Sequence, residues 1–258
     1  MKNILLVNDD GIHSPGLAAL HTLFAAQSDF KVRVIAPDGQ RSAGGQAITL
    51  FSPIRITEFG SDRFAIDASP ADCVYLGMKY FDDQIDLVVS GINSGQNMGV
   101  DIYYSGTVAA AREAIISGIP AMAVSLSTKD AGADFSPAAE CALKYARFLF
   151  EHPLPKGTLL NINLPNLPAK AIRGVKMTRL GRRVYLDGID KRANPFGQKY
   201  CWRICEDLSH NPCAGGDLDA VEAGYIALTP IQLDATDYAS ASAMAKLIGC
   251  AADGLGDG

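Results

Sequence analysis

Two adjacent acids, Asp9 and Asp10, follow the apolar run Ile4-Leu5-Leu6-Val7 and Asn8, with Gly11 behind them. A short, branched, unbroken apolar run bounded by turn residues reads as a strand buried on both faces, as in parallel sheets. Carboxylates at the carboxyl end of such a strand stand where open α/β sheets bind ligands. Side by side they repel, and a cation between them removes that cost. The pair therefore points to a hard metal ion. Two acids in an isolated Asp-Asp-Gly turn more often serve as solvated caps, and the buried strand ahead of this pair favours the metal.

Other oxygen donors lie at the ends of two further apolar runs. Val32–Ala36 stops at Pro37-Asp38-Gly39, and the polar loop Gln40–Gln46 that follows carries Ser42. Asp86–Ser90 stops at Gly91-Ile92-Asn93-Ser94-Gly95. In a doubly wound sheet all three loops meet on one edge, which gathers Asn8, Asp9, Asp10, Ser42 and Asn93. Carboxylates, a hydroxyl and an amide oxygen suit Mg²⁺, Mn²⁺ or Ca²⁺ rather than a thiolate metal. Ser105-Gly106-Thr107 then opens the alanine-rich stretch Val108–Ala114. Backbone amides at a helix N-terminus, with two hydroxyls and a glycine, suit an anion, although a serine or threonine there is also an ordinary cap. A cation site beside an anion site is the equipment of phosphoryl chemistry.

The elements that must position these residues follow from the same patterning. Ser14-Pro15 is a cap followed by proline at the first helical position, and Leu17, Leu20, Leu23 and Phe24 recur at helical spacing. With the strand at Val32–Ala36 this makes a right-handed βαβ unit. Extended pieces are expected around Ile48–Phe51, Ile54–Phe59 and Phe64–Ile66, as antiparallel insertions. Ser69-Pro70-Ala71-Asp72 opens another helix, with an acid at its third position. Further on, strands are expected at Ala121–Leu126, Leu159–Asn163 and Tyr225–Leu228, and helices at Pro137–Phe150 and Ala239–Ile248. The chain reads as one α/β domain over residues 1–258. The charged, glycine-bearing and aromatic stretch at 179–214 is set apart as a protruding arm, and 230–258 as a C-terminal tail.

Composition narrows the partners. With 23 Lys and Arg against 28 Asp and Glu, the net charge is −5, which argues against a nucleic-acid-binding surface. No run approaches the roughly 18 uncharged residues of a membrane span, and no leader pattern opens the chain, so a cytoplasmic protein is expected. Its six cysteines are then reduced thiols. Cys201, Cys205, His210 and Cys213 lie close in sequence, but their spacing matches no standard zinc finger. They are expected to be packing thiols in an irregular segment.

Several longer motifs, taken in order, carry a resemblance: NDDG, APDGQRSAGGQAIT, SPADCVYLG, VVSGINSGQNMG, YSGTVAAAREA and AGYIALTPIQLDAT. Together they resemble the SurE family of survival-protein phosphatases. The resemblance covers most of the chain, is densest over 3–125, and weakens from Arg179 to Ala214. It implies a three-layer α/β/α fold with C-terminal segments exchanged between subunits of a homodimer or homotetramer. It also implies a 5′-nucleotidase: a phosphomonoesterase that releases phosphate from nucleoside 5′- and 3′-monophosphates, with exopolyphosphatase activity in some members. One divalent cation per subunit (Mg²⁺, Mn²⁺ or similar) is implied on Asp9, Asp10, Ser42 and Asn93. Asp9 and Asn93 are the catalytic candidates, with a metal-activated water attacking phosphorus, and Asn8, Gly44, Ser105, Gly106 and Thr107 surround the phosphate. Where members often read GTPTDCV, this chain has Ala68-Ser69-Pro70-Ala71-Asp72-Cys73-Val74, which bears on any substrate contact made there.

Some roles stay open at this level. Asp9, first after the strand, is favoured over Asp10 for orienting the water. Asn8 either orients the substrate or caps the turn. His13 is a candidate general acid or a helix-start residue, and Tyr103 and Tyr104 either stack on a base or pack. Aspartyl-phosphate chemistry usually needs an acid two positions after the nucleophile, where Gly11 stands. A phospho-acceptor signalling module needs an acceptor Asp where this chain has Asn93. A dinucleotide site lacks its G-x-G-x-x-G turn.

Overall fold

In the computed structural model, which describes residues 1–81, 84–130 and 132–251 apart from the side chains of 186–187 and 205–210, the first apolar run forms strand β1 (Lys2–Val7). The chain continues through α1 (Pro15–Ala25), β2 (Phe30–Pro37), β3 (Ile56–Glu58), β4 (Arg63–Ile66), α2 (Pro70–Lys79) and β5 (Leu87–Ser94). Next come α3 (Gly106–Ile116), β6 (Ala121–Ser127), α4 (Ser136–Glu151), β7 (Thr158–Pro165) and β8 (Val175–Met177). The last elements are β9 (Arg182–Ala193), β10 (Lys199–Asn211), α5 (Asp217–Glu222), β11 (Ile226–Gln232) and α6 (Tyr238–Ile248).

The central sheet runs β3-β4-β2-β1-β5-β6-β7-β11-β8. Strand β1 lies parallel between β2 and β5, and β5, β6 and β7 continue parallel. The chain leaves β1 toward β2 on one side and returns to β5 on the other, so the order reverses between β1 and β5. That crevice is the topological switch point of the sheet.

Alternation along β1 shows how the three layers are built. Ile4 and Leu6 join the core under α1 and α4, with Leu17, Leu20, Phe24, Ala142 and Leu149. Leu5 and Val7 join the opposite core under α2 and α3, with Val74, Val108 and Ala111. A strand apolar on both faces can be covered only by two helical layers. The helix starts follow their caps. Ser14 accepts the Leu17 amide ahead of Pro15, and Ser69 and Asp72 form a reciprocal capping box.

The structure departs from the sequence pattern in several places. Ile48–Phe51 forms no strand. Thr49 is instead fastened to the capping acid Asp72, through its amide at 3.0 Å and its hydroxyl at 2.7 Å. Phe64–Ile66 belongs to β4, which pairs parallel with β2, so only β3 is antiparallel in that insertion. Three-residue β8 and six-residue α5 were too short to leave a periodic signal.

The cysteine-bearing stretch is not irregular, because β9 and β10 pair as a long antiparallel hairpin. Cys201 and Cys205 stand four residues apart on β10, roughly 13 Å of strand. The side chains of Cys205 and His210 lie outside the described residues, as do 252–258 of the tail. Among the described residues no helix is long and apolar enough to cross a membrane.

The base of the hairpin is tied to the domain by buried Asp217. Its Oδ1 accepts the Gly181 and Leu218 amides at 2.8 and 2.9 Å, and its Oδ2 accepts Gly99 at 3.0 Å. Asp101, in the 3₁₀ turn Gly99–Tyr103, accepts from the Arg183 guanidinium and the Tyr185 hydroxyl.

Close packing between α1 and the end of β5 gives a test. A Cβ on Gly16 would lie 2.0 Å from the Ile92 carbonyl oxygen, whereas one on Gly39 would meet nothing within 4 Å. In urea unfolding, Gly16→Ala should cost about 1–3 kcal/mol or more. Gly39→Ala should stay within about 0.5 kcal/mol. Equal stability of the two variants would contradict this packing.

Candidate metal and phosphate site

Leaving β1, the chain turns sharply, and the turn is held from within. Asn8 is fully buried. Its amide nitrogen donates to the Gly11 carbonyl at 3.0 Å and to Ser14 Oγ at 2.6 Å, while its oxygen accepts the Gly11 amide at 3.2 Å. Both ends of the side chain are committed within the turn, so Asn8 closes it. A Cβ on Gly11 (φ 102°) would approach the Gly39 backbone to 3.2 Å, so the β1 and β2 loops touch here.

The turn leaves Asp9 almost buried, at 4 % exposure, and Asp10 half-buried. Desolvation is the main reason that the Asp9 carboxyl is pushed from its usual 3.8 up to about 6. The hydroxyl of Thr107, 2.5 Å from Asp9 Oδ1, opposes the rise, and the neighbouring Asp10 charge adds to it. Burial also raises Asp10, partly offset by the Ser94 amide that donates to its Oδ2 at 3.1 Å. Among the described residues neither acid has a cationic partner.

Other loops close on the pair from different sides. The Arg41 amide donates to the Asp9 carbonyl at 2.7 Å, which sets Ser42 one residue from that contact. The Gly45 amide donates to the Tyr104 carbonyl at 2.9 Å, so the loop bearing Ser42 and Gly44 also abuts the approach to α3. Asn93 precedes the residue bonded to Asp10, and its amide nitrogen donates to the Gly95 carbonyl at 2.8 Å, which turns the side-chain oxygen away from that loop. Ser105 caps α3 by accepting the Val108 amide at 3.0 Å, leaving its O–H free to donate. Asp9, Asp10, Ser42, Gly44, Asn93, Ser105, Gly106 and Thr107 thus share one edge of the sheet.

Two of these contacts had no sequence signal: the Thr107 hydroxyl on Asp9, and the Ser94 amide on Asp10. A cleft of about 410 Å³ opens beside Asp10, lined by His13, Asp38, Gly39, Ser94 and Phe135 among others. Exposed His13 packs edge-on against Phe59, with ring centroids 5.2 Å apart, and donates to no group of the acid pair. Tyr103 and Tyr104 are exposed, 61 % and 56 %, at the other side of the site. Roomier hollows of about 500 and 610 Å³ lie at the opposite sheet edge around Gly118–Pro120, away from both acids.

The profile of the family described as "Survival protein SurE" matches residues 4–187. The chain belongs to the SurE family. A protein of Geotalea uraniireducens named "5′-nucleotidase SurE" is 45 % identical over 244 residues, covering 94 % of this chain and 98 % of that one. One of the same name from Geobacter sulfurreducens is 45 % identical over 241 residues, covering 93 % and 91 %. The crystal structure of a SurE protein from Aquifex aeolicus superposes with a TM-score of 0.83 at 37 % identity, over 95 % of this chain and 99 % of that one. The α/β/α architecture expected from the resemblance is therefore that of the family.

The buried acid predicts how a SurE protein of this sequence responds to pH without metal. Because the folded state raises the Asp9 pKa, the stability tied to its protonated form is complete below about 3.8 and is lost as pH climbs through about 6. Relative to Asp9→Asn, the wild-type chain in chelator should lose on the order of 3 kcal/mol between about pH 4 and pH 7. Urea unfolding of both proteins across that range checks it, and parallel stability profiles would contradict the burial cost.

Proposed function

We propose that this chain, like the relatives named 5′-nucleotidase, hydrolyses nucleoside 5′- and 3′-monophosphates to nucleoside and phosphate, using one divalent cation. The observation that carries this reading is the Asp9–Asp10 pair at the switch point, Asp9 buried and Asp10 half-buried, with no cationic partner among the described residues and with oxygen-bearing loops around it. The donor set fits a hard cation: two carboxylates, the Ser42 hydroxyl and the Asn93 amide oxygen. Among the described residues no three His, Cys, Asp or Glu side chains gather into a cluster, so an oxygen-rich set drawn partly from neutral side chains is what this edge offers.

When bound, the cation supplies positive charge for the phosphate oxygens and acidifies a water for attack on phosphorus. Asp9 and Asp10 would hold it with Ser42 and Asn93. The Ser105 hydroxyl and the Gly106 amide, at the positive end of α3, would donate to the remaining phosphate oxygens as charge builds on them. Asp9, held by Thr107 at the start of α3, is the carboxylate that would orient the attacking water. Gly44, in the loop that carries Ser42, would border the phosphate. Polyphosphate, which presents the same terminal phosphoryl group, is a second substrate under this reading.

A colorimetric phosphate assay across nucleoside monophosphates and polyphosphate tests the proposal. Turnover should require Mn²⁺ or Mg²⁺ and stop in chelator, and Asp9→Asn should lower kcat/KM on the order of 10²-fold or more. Hydrolysis that survives metal removal would overturn it.

We further propose a homodimer or homotetramer with exchanged C-terminal segments. Its support is the apolar surface left on the hairpin and on α6: Ile189, Phe196 and Trp202 at 64 %, 89 % and 62 % exposure, with Met244, Leu247 and Ile248 beyond them. Light scattering of the purified chain should give two or four copies, and a monomer at micromolar concentration would count against it.

A further inference from the structure

The three residues Ser105-Gly106-Thr107 look interchangeable as a phosphate cradle, but the structure divides their labour. Thr107 is fully buried, and its hydroxyl is spent on Asp9 Oδ1 at 2.5 Å. Gly106 sits against Asp9 so closely that a Cβ there would lie 2.7 Å from Asp9 Cβ and 2.9 Å from Oδ2. Ser105, which accepts the Val108 amide, is the one whose hydroxyl proton has no acceptor among the described residues.

We infer that Thr107 is a positioning residue for Asp9, fixing one carboxylate oxygen so that the other is presented to the cation, and is not a ligand of the phosphate. This deepens the metal-dependent reading given above and rests on it. Two features make the assignment physical. A hydroxyl inside the protein has one proton to give, and here it goes to Oδ1, so none is left for a phosphate oxygen. A carboxylate ligand free to rotate about its last torsion would have to lose that freedom on binding each cation. A fixed one has lost it during folding, which is why partners of metal ligands commonly change affinity 10–100-fold when removed. Gly106 has the complementary role of letting the first turn of α3 come this close.

Three variants separate positioning from phosphate contact. Thr107→Val keeps the shape and deletes the hydroxyl, Thr107→Ser restores the hydroxyl without the methyl, and Asp9→Asn removes the charge. Mn²⁺ affinity is measured by calorimetry in the absence of nucleotide, and KM and kcat at saturating Mn²⁺, with thermal unfolding of each metal-free variant as the folding control. Thr107→Val should weaken Mn²⁺ binding about 10-fold or more. Its KM for nucleoside monophosphate at saturating metal should stay near the wild-type value, and Thr107→Ser should recover most of the affinity. Wild-type Mn²⁺ affinity in folded Thr107→Val, with a raised KM, would overturn the inference and make Thr107 a phosphate ligand. If Thr107→Val does not fold, failure of folded Thr107→Ser to bind Mn²⁺ better than Asp9→Asn would overturn it as well. A wild-type chain that binds no Mn²⁺ would instead remove the metal-dependent reading itself, and this inference with it.

Discussion

Taking the Asp9 carboxylate out of water costs several kcal/mol unless something opposite in charge or rich in donors replaces the water. The protein supplies donors on one side only. Thr107 addresses Oδ1, and the positive end of α3 lies behind it. On the other side stands Asp10, a like charge whose repulsion adds to the cost. An arrangement of this kind is poorly compensated as it stands; under the proposed reading a cation would compensate it, and the cost of folding would become affinity for the ion. The same logic explains why the turn after β1 is braced internally by Asn8. A braced turn cannot relieve the repulsion by swinging an acid into solvent.

The helix that provides the donors depends on small residues. Ala109, Ala110, Ala111 and Ala114 are all fully buried, so α3 is covered on more than one face. Short side chains there let its axis run close to β5 and β6, with Gly106 removing the last obstacle against Asp9. Larger residues at these positions would lift the helix start from the carboxylate and lengthen a bond that works only near 2.5–3.0 Å. Packing of α3 and chemistry at Asp9 are therefore one constraint. Gly77 serves a similar purpose in α2, where a Cβ would lie 2.4 Å from the Leu5 side chain.

Much of this was legible in the residues because buried parallel strands write a strong signal. Continuous apolar runs marked β1, β2 and β5, and their ends located Asp9, Asp10, Ser42 and Asn93 before any pairing was known. Caps were equally readable, since Ser14-Pro15 and Ser69-Pro70 name their helices by local chemistry. Direction of pairing was not. Nothing in Arg63–Ile66 distinguishes a strand parallel to β2 from an antiparallel insertion, because that choice belongs to the partner. Nor could the sequence divide Ser105 from Thr107. Both are hydroxyls at a helix start, and only the distance of α3 from β1 decides that Thr107 reaches the acid while Ser105 caps its own helix.

The hairpin raises the question of how an appendage that makes its own small sheet could matter to chemistry at the switch point. Its base is not loosely hung. Asp217 bonds Gly181, where the hairpin begins, and Gly99, where the 3₁₀ turn begins, and Asp101 in that turn takes Arg183 and Tyr185 from β9. The turn runs straight into Ser105, whose amide donates to the Asp101 carbonyl at 3.0 Å. The side chain that receives the hairpin therefore belongs to the same residue whose backbone sets the first turn of α3. Gly181 and Gly99 approach one another with no space for a side chain, a Cβ on Gly99 falling 2.8 Å from the Gly181 carbonyl oxygen. A tight joint of this kind transmits displacement and does not absorb it. The residues that fix the arm to the domain are thus neighbours, by covalent chain and by hydrogen bond, of the residues that fix Asp9.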